Sequence, residues 1–277
     1  MTLPLRFVPV AIALAALLAG ACRPRDGSAP APPVVTVTAS PYHFDAPDTV
    51  PAGLTTLRLV TQGPQLHQLA LIRIGGGKTY AQFMERLKQA GPPPDWVSMA
   101  GGVDPPRAGA SADVTMTLEP GTYAIVCFLQ TPEGLPHVVK GEYRELTVIP
   151  SRRTAAAEPV ATDTLVAYDF GFTTSRPITA GRHLLLFINK GPQPHEITVV
   201  RLAQGKSAAD YAAWFNTQKG PPPGEPLGGV FTMRTDQRAF FTVDFTPGEY
   251  ALLCFSPDEK DGLSHESHGM IRQITVR

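Results

Sequence analysis

The sequence predicts an all-β chain made of two consecutive β-sandwiches, each interrupted by one short helix. Three observations predict it. The chain beyond residue 33 repeats with a period near 128 residues, which reads as duplication of one domain of roughly 115 residues. Glycine and proline are abundant, 25 and 29 of 277 residues, and favour turns and strands over long helices. Apolar residues fall in short runs of strand length, bounded by those turn formers.

The repeat is explicit. GPQLHQLALIRI (63–74) returns as GPQPHEITVVRL (191–202), and PGTYAIVCF (120–128) as PGEYALLCF (247–255). GLPHVVKGEYRELTV (134–148) returns as GLSHESHGMIRQITV (262–276). His67 to His195 and His137 to His265 are both offsets of 128, and Cys127 to Cys254 is 127. GPPP recurs at 91–94 and 220–223. The first domain is expected over 34–149 and the second over 161–277. The joint lies in IPSRRTAAAEPV, with 150–160 as a polar linker.

Each copy reads as short strands. TTLRLV (55–60) and HLLLFIN (183–189) follow the Gly turns PAG and TAG. HQLALIRI and HEITVVRL are apolar enough to be buried on both faces. DVTMTLE (113–119) and AFFTVDF (239–245) alternate. A strand from Tyr250 to Phe255 puts Tyr250, Leu252 and Cys254 on one face. The helices are expected at TYAQFMERLKQ (79–89) and SAADYAAWFN (207–216). Thr79 with Gln82, and Ser207 with Asp210, have capping-box spacing. Phe83 and Leu87, like Tyr211, Trp214 and Phe215, recur at helical spacing and are expected to pack on the sandwich.

Charge excludes one class of partner. Twenty-four basic residues balance 24 acidic ones and none of the basic residues cluster, so no nucleic acid is expected. The N-terminus reads as a signal peptide over 1–21: Arg6, then FVPVAIALAALLAG, too short for a comfortable span. It ends in LAGAC (18–22), which resembles a bacterial lipobox that lipidates Cys22, although Ala19 replaces the usual leucine. The alternative is an ordinary secretory signal that contains Cys22. RPRDGSAPAPP makes 22–33 a flexible tether. The expected location is the periplasm or cell surface, with a lipid anchor in the membrane and a soluble body.

CFSPDEKDGLSHESHGM (254–270) carries a thiol, imidazoles and a thioether just past a strand, donors suited to copper in both oxidation states. Each copy resembles the cupredoxin family. There a histidine follows a Pro-containing turn, and P-G-x-Y-x-x-x-C is followed by a histidine and an axial methionine. The resemblance covers nearly all of 34–277 and implies tandem Greek-key β-sandwiches. It further implies one type 1-like copper in the second copy, with His195, Cys254 and His265 in the plane and Met270 axial. Three departures stand out. Ten residues separate Cys254 from His265, and a hairpin excursion is needed to bring them together. Glu196 stands where many family members have an Asn that ties the ligand loops, so that tie is either missing or differently made. His268 competes with His265, which the repeat favours by placing His137 opposite it.

The first copy keeps His67, Cys127 and His137 but has Glu142 at the place of Met270. A carboxylate there is a harder donor and favours Cu(II); the alternative is an exposed strand residue. For the cysteines the alternatives are inherited core residues or a Cys127–Cys254 disulfide.

The resemblance also extends to two-domain copper oxidases and nitrite reductases. They imply an H-C-H triplet and H-x-H pairs, and neither occurs here, while His43 and His183 stand alone. The chain is therefore not expected to be an enzyme, and no serine-nucleophile, phosphate-loop or zinc-protease motif is present. Asp258, Glu259 and Asp261 read as a solvated loop tip, with calcium as the alternative. Two functions remain: an envelope-anchored copper protein that passes electrons to a redox partner protein or handles copper, and a metal-free cupredoxin-like binding module. The PPP loops suit either.

Overall fold

The computed structural model describes residues 29–277 apart from 90 and 92; the expected signal peptide and Cys22 lie outside the described residues. The first copy contains β1 (Val34–Ser40), β2 (His43–Asp45), β3 (Thr49–Pro51), β4 (Gly53–Thr61), β5 (Leu69–Ile74), α1 (Tyr80–Leu87), β6 (Val97–Val103), β7 (Ser111–Leu118), β8 (Gly121–Val126) and β9 (Tyr143–Ile149). The second contains β10 (Asp163–Tyr168), β11 (Gly171–Thr174), β12 (Gly181–Asn189), β13 (His195–Leu202), α2 (Ala208–Phe215), β14 (Gly224–Met233), β15 (Arg238–Phe245), β16 (Gly248–Leu253) and β17 (Ile271–Val276). No helix or strand falls between Ile149 and Asp163.

The copies are fused sheet to sheet. One layer runs β11-β10-β12-β15-β7-β4-β1-β2, and the other β17-β16-β13-β14-β6-β5-β8-β9-β3. The seams are β7 against β15 (Met116↔Ala239) and β6 against β14 (Val103↔Val230), both antiparallel. Each seam strand pairs with its own counterpart in the repeat, which makes the two copies related by a local two-fold. A single apolar cluster then runs through both, from Leu57 and Leu59 to Phe187 and Phe241. The two consecutive sandwiches expected from the repeat are present, and they are joined edge to edge into two continuous layers.

Local sequence explains the layers. The near-continuous apolar runs of β5 and β13 bury both faces because each strand is central in its sheet and covered by a helix. Both helices begin on complete capping boxes, Thr79 with Gln82 and Ser207 with Asp210. Phe83 and Tyr211 are buried against the sheet, whereas Leu87, at the end of α1, faces solvent, contrary to expectation. Gly102 and Gly229 sit where a Cβ would lie 1.9 and 1.8 Å from the carbonyls of Leu69 and Ile197. Only glycine permits that approach between β6 and β5, and between β14 and β13. At the start of β8 and β16 a tyrosine clamps the preceding turn. Tyr123 Oη donates to Glu119 O at 2.8 Å, and Tyr250 Oη to Thr246 O at 2.9 Å.

Candidate metal centres

Three strands converge at one end of the second copy. β13 opens at His195, β16 closes one residue before Cys254, and β17 opens one residue after Met270. β16 pairs with both others (Leu253↔Thr198 and Leu253↔Ile271), so these ends share an edge. The long excursion after Cys254 returns on itself. Pro257 bridges Ser264, His265 N–H donates to Ser256 O at 2.9 Å, and Glu266 N–H donates to Cys254 O at 2.9 Å. A 3-10 turn over His265–His268 then carries the histidine in, and Met270 N–H donates to His265 O.

The donor atoms form a compact triangle. His195 Nδ1 lies 2.9 Å from His265 Nδ1, and Cys254 Sγ lies 3.8 and 3.4 Å from those two nitrogens. In their plane one point stands about 2.0 Å from all three atoms, close to usual nitrogen–metal and sulfur–metal distances. His195, Cys254, His265 and Met270 are all fully buried.

Burial and a tautomer-fixing carboxylate keep the rings in their ligating form. His195 Nε2 is 2.5 Å from Asp169 Oδ1. A carboxylate accepts, so the ring hydrogen sits on Nε2 and Nδ1 presents a lone pair to the triangle. His265 Nε2 is buried with no partner. Burial, and then the neighbouring His195, push His265 down to about 4. Burial also lowers His195, against Asp169. Both rings are thus neutral at neutral pH, the state that ligates. Burial, and then Glu196, push the Cys254 thiol up, so it keeps its proton until a metal ion replaces it. Two imidazole nitrogens and a thiol around one point fit copper, which takes imidazole and thiolate together.

The missing Asn is replaced by a carboxylate. Glu196 Oε1 accepts from Phe255 N–H at 2.7 Å, and Oε2 from Thr232 Oγ1 at 2.8 Å. The Glu196 N–H itself donates to Cys254 Sγ at 3.4 Å. The tie between the ligand-bearing segments is therefore made differently rather than lost.

The first copy brings together the same positions but fills the centre. Glu142 Oε1 lies 2.7 Å from His67 Nδ1, and Oε2 lies 2.8 Å from His137 Nδ1. Cys127 Sγ is 3.5 Å from His137 Nδ1. All four side chains are buried, so the reading of Glu142 as an exposed strand residue is wrong: it precedes β9 and points inward. Pro41 stands at the register position of Asp169, because Ser40 pairs with His43 as Tyr168 does with Gly171. His67 Nε2 accordingly has no partner. A carboxylate lies behind the second centre and inside the first.

Other expected residues fall elsewhere. His268 is partly exposed, pairs with Asp261 and stacks on Phe170. Cys127 and Cys254 are free thiols, each buried in the common core, so no disulfide joins them. Asp258 is not a solvated tip. It is buried and fastens the turn, accepting from Lys260 N–H at 2.7 Å and Gln193 Nε2 at 3.1 Å, because the N–H groups of the turn need an acceptor. Asp258, Asp261 and His268 do place ligand atoms near one another, with Asp261 and His268 at the surface. Sequence reasoning missed Asp169, Gly191 and Thr232. The repeat offers a signal for two of them: Gly191 recurs opposite Gly63, and Asp169 is a carboxylate standing against a proline.

No protein-family profile matches the chain, and no curated protein does. Among solved structures it is similar to dithionite-reduced auracyanin from the photosynthetic bacterium Roseiflexus castenholzii, with 26% identity over 43% of this chain and 99% of that one and a TM-score of 0.30. It is similar to auracyanin B, with 27% identity over 42% and 88% and a TM-score of 0.28. It is also similar to a copper nitrite reductase from Nitrosomonas europaea, with 12% identity over 88% and 93% and a TM-score of 0.26. The strand layout and the buried His-Cys-His cluster make each copy cupredoxin-like in fold.

Proposed function

We propose that the second copy binds one copper ion through His195, Cys254 and His265, with Met270 as a further donor, and serves one-electron transfer or copper handling. The observation that carries this is the triangle of Nδ1, Nδ1 and Sγ around a single point. Bound copper would supply an ion that alternates between two oxidation states in a dry thiolate site. The chain's contribution is to hold the donors. Asp169 fixes the tautomer of His195, Glu196 ties the strands and donates its N–H to the sulfur, and the common core excludes water. In the first copy a cation must displace two hydrogen bonds to Glu142, so that copy binds copper weakly or not at all.

Lipid on Cys22 and the tether would hold the protein in the cell envelope, where a redox partner protein would meet it. Among the described residues no helix is long and apolar enough to cross a membrane. Neither copy carries the H-C-H triplet or H-x-H pairs of a second catalytic copper, which supports a carrier rather than an oxidase or reductase. The test is to add one equivalent of Cu(II) and record the visible spectrum. A thiolate charge-transfer band that survives Cys127→Ser and disappears in Cys254→Ser is expected. A colourless protein, or a band that follows Cys127, contradicts the proposal.

A further inference from the structure

A cleft of about 1470 Å³ opens between the two copies, larger than most pockets for drug-sized molecules. Its floor comes from residues beside each candidate centre: Gln68 and Glu196 follow the first histidines, and Phe128 and Phe255 follow the cysteines. It is a built site rather than a gap. Gln68 is 6% exposed and lines the cleft, and among the described residues no hydrogen bond reaches its side-chain amide. Asp104 and Glu196 are 3% and 4% exposed. Asp104 Oδ2 accepts from Thr198 Oγ1 at 2.6 Å, and neither carboxylate forms an ion pair among the described residues. Glu196 is satisfied by Phe255 N–H and Thr232 Oγ1, but among the described residues neither acid has a cationic partner, and buried acids ordinarily are paired or stay protonated; a cation entering this space would supply the partner for both.

The walls define that partner's chemistry. Phe128 stacks with Phe231 at 6.3 Å between centroids, and Phe215 with Phe255 at 3.9 Å, giving apolar faces on both sides. Asp95, Asp258 and Glu259 add acidic charge to the lining, against Arg234 at the exposed edge. Among the described residues, Asp104 and Glu196 do not belong to any group of three donors close enough to hold a metal ion. The space also exceeds what an inorganic ion fills. We infer that this cleft binds a small organic cation, an ammonium group carried on an apolar or aromatic body. The ammonium would sit against Asp104 and Glu196 with the Gln68 carbonyl as a further acceptor, and the body between the phenylalanine pairs. Burial, and then Glu196, raise Asp104 well above the usual carboxylate range, so the acid keeps its proton until a cation enters and makes the charged form favourable.

The test needs no copper and stands apart from the proposed metal site. Benzylammonium, benzyl alcohol and benzoate share one body and differ in charge. Calorimetric titration of the purified metal-free chain should show benzylammonium binding about tenfold or more tightly than benzyl alcohol, with no heat from benzoate. Asp104→Asn keeps the size of the side chain and an acceptor for Thr198, and should bring the cation within about twofold of the alcohol. Equal binding of the three probes in the wild-type chain, no binding at all, or a cation preference that survives Asp104→Asn would overturn the inference. So would calcium chloride alone competing with benzylammonium, since that marks an inorganic cation site.

Discussion

Asp169 Oδ1 lies 2.5 Å from His195 Nε2, on the far side of the ring from the Cys254 thiol. The contact exists because Gly191 leaves room for it: a Cβ there would lie 2.4 Å from His195 Nε2 and 2.7 Å from Asp169 Oδ1. Removing the acceptor by Asp169→Ala should lower copper affinity about 10- to 100-fold, the range for such outer partners. Asp169→Asn, which retains an acceptor oxygen, should recover most of it. Gly191→Ala should resemble Asp169→Ala. Competition titration with a copper chelator measures all three, and unchanged affinity in Asp169→Ala would show that the ring is held by packing alone.

The two copies differ most at one buried position. Glu142 occupies the first centre, while Met270 stands at the matching place in the second. Glu142→Met should therefore raise bound copper from about one to about two per chain, with a second band that depends on Cys127. Metal analysis of the dialysed protein measures this. A stoichiometry that stays at one would mean that Glu142 is not what closes the first site.

The acids of the cleft make a pH prediction. Asp104 is raised by burial and then by Glu196, and Glu196 is raised by burial. Between the unfolded and folded values the native state holds more protons than the unfolded state, so stability falls as pH rises through that window. Asp104→Asn lacks this titration. In the metal-free protein its stability relative to wild type should increase from pH 5 to pH 8, as measured by urea unfolding. A difference that does not change with pH would show that Asp104 carries no such penalty.

The tyrosine clamps are structural. Tyr250 Oη donates to Thr246 O and accepts from Thr246 N–H, both at 2.9 Å. Tyr250→Phe leaves both partners short of a hydrogen bond and should cost about 1–2 kcal/mol. Denaturant midpoints report it, and no loss would mean that water takes over both bonds.

Much of this was legible in the sequence because duplication writes each strand twice. The β5 and β13 runs, the capping boxes and the P-G-x-Y turns needed only local pattern. The seams were not legible, because β6 and β7 carry no mark of which strand lies beyond the edge of their own copy. Asp258 misled because acidic residues between glycine and proline usually face water, whereas this one serves the N–H groups of its own turn. Asp169 and Asp104 escaped for a related reason: each acts on a residue distant in the chain, His195 and Thr198, and a lone carboxylate in a turn gives no local sign of a distant partner.

X-ray absorption at the copper edge, on protein carrying one equivalent of the metal, probes the His195–Cys254–His265 cluster most directly. The expected result is a nearest shell of one sulfur and two nitrogens, with the sulfur absent in Cys254→Ser and retained in Cys127→Ser. A shell of nitrogen and oxygen only, or sulfur that persists without Cys254, would contradict it.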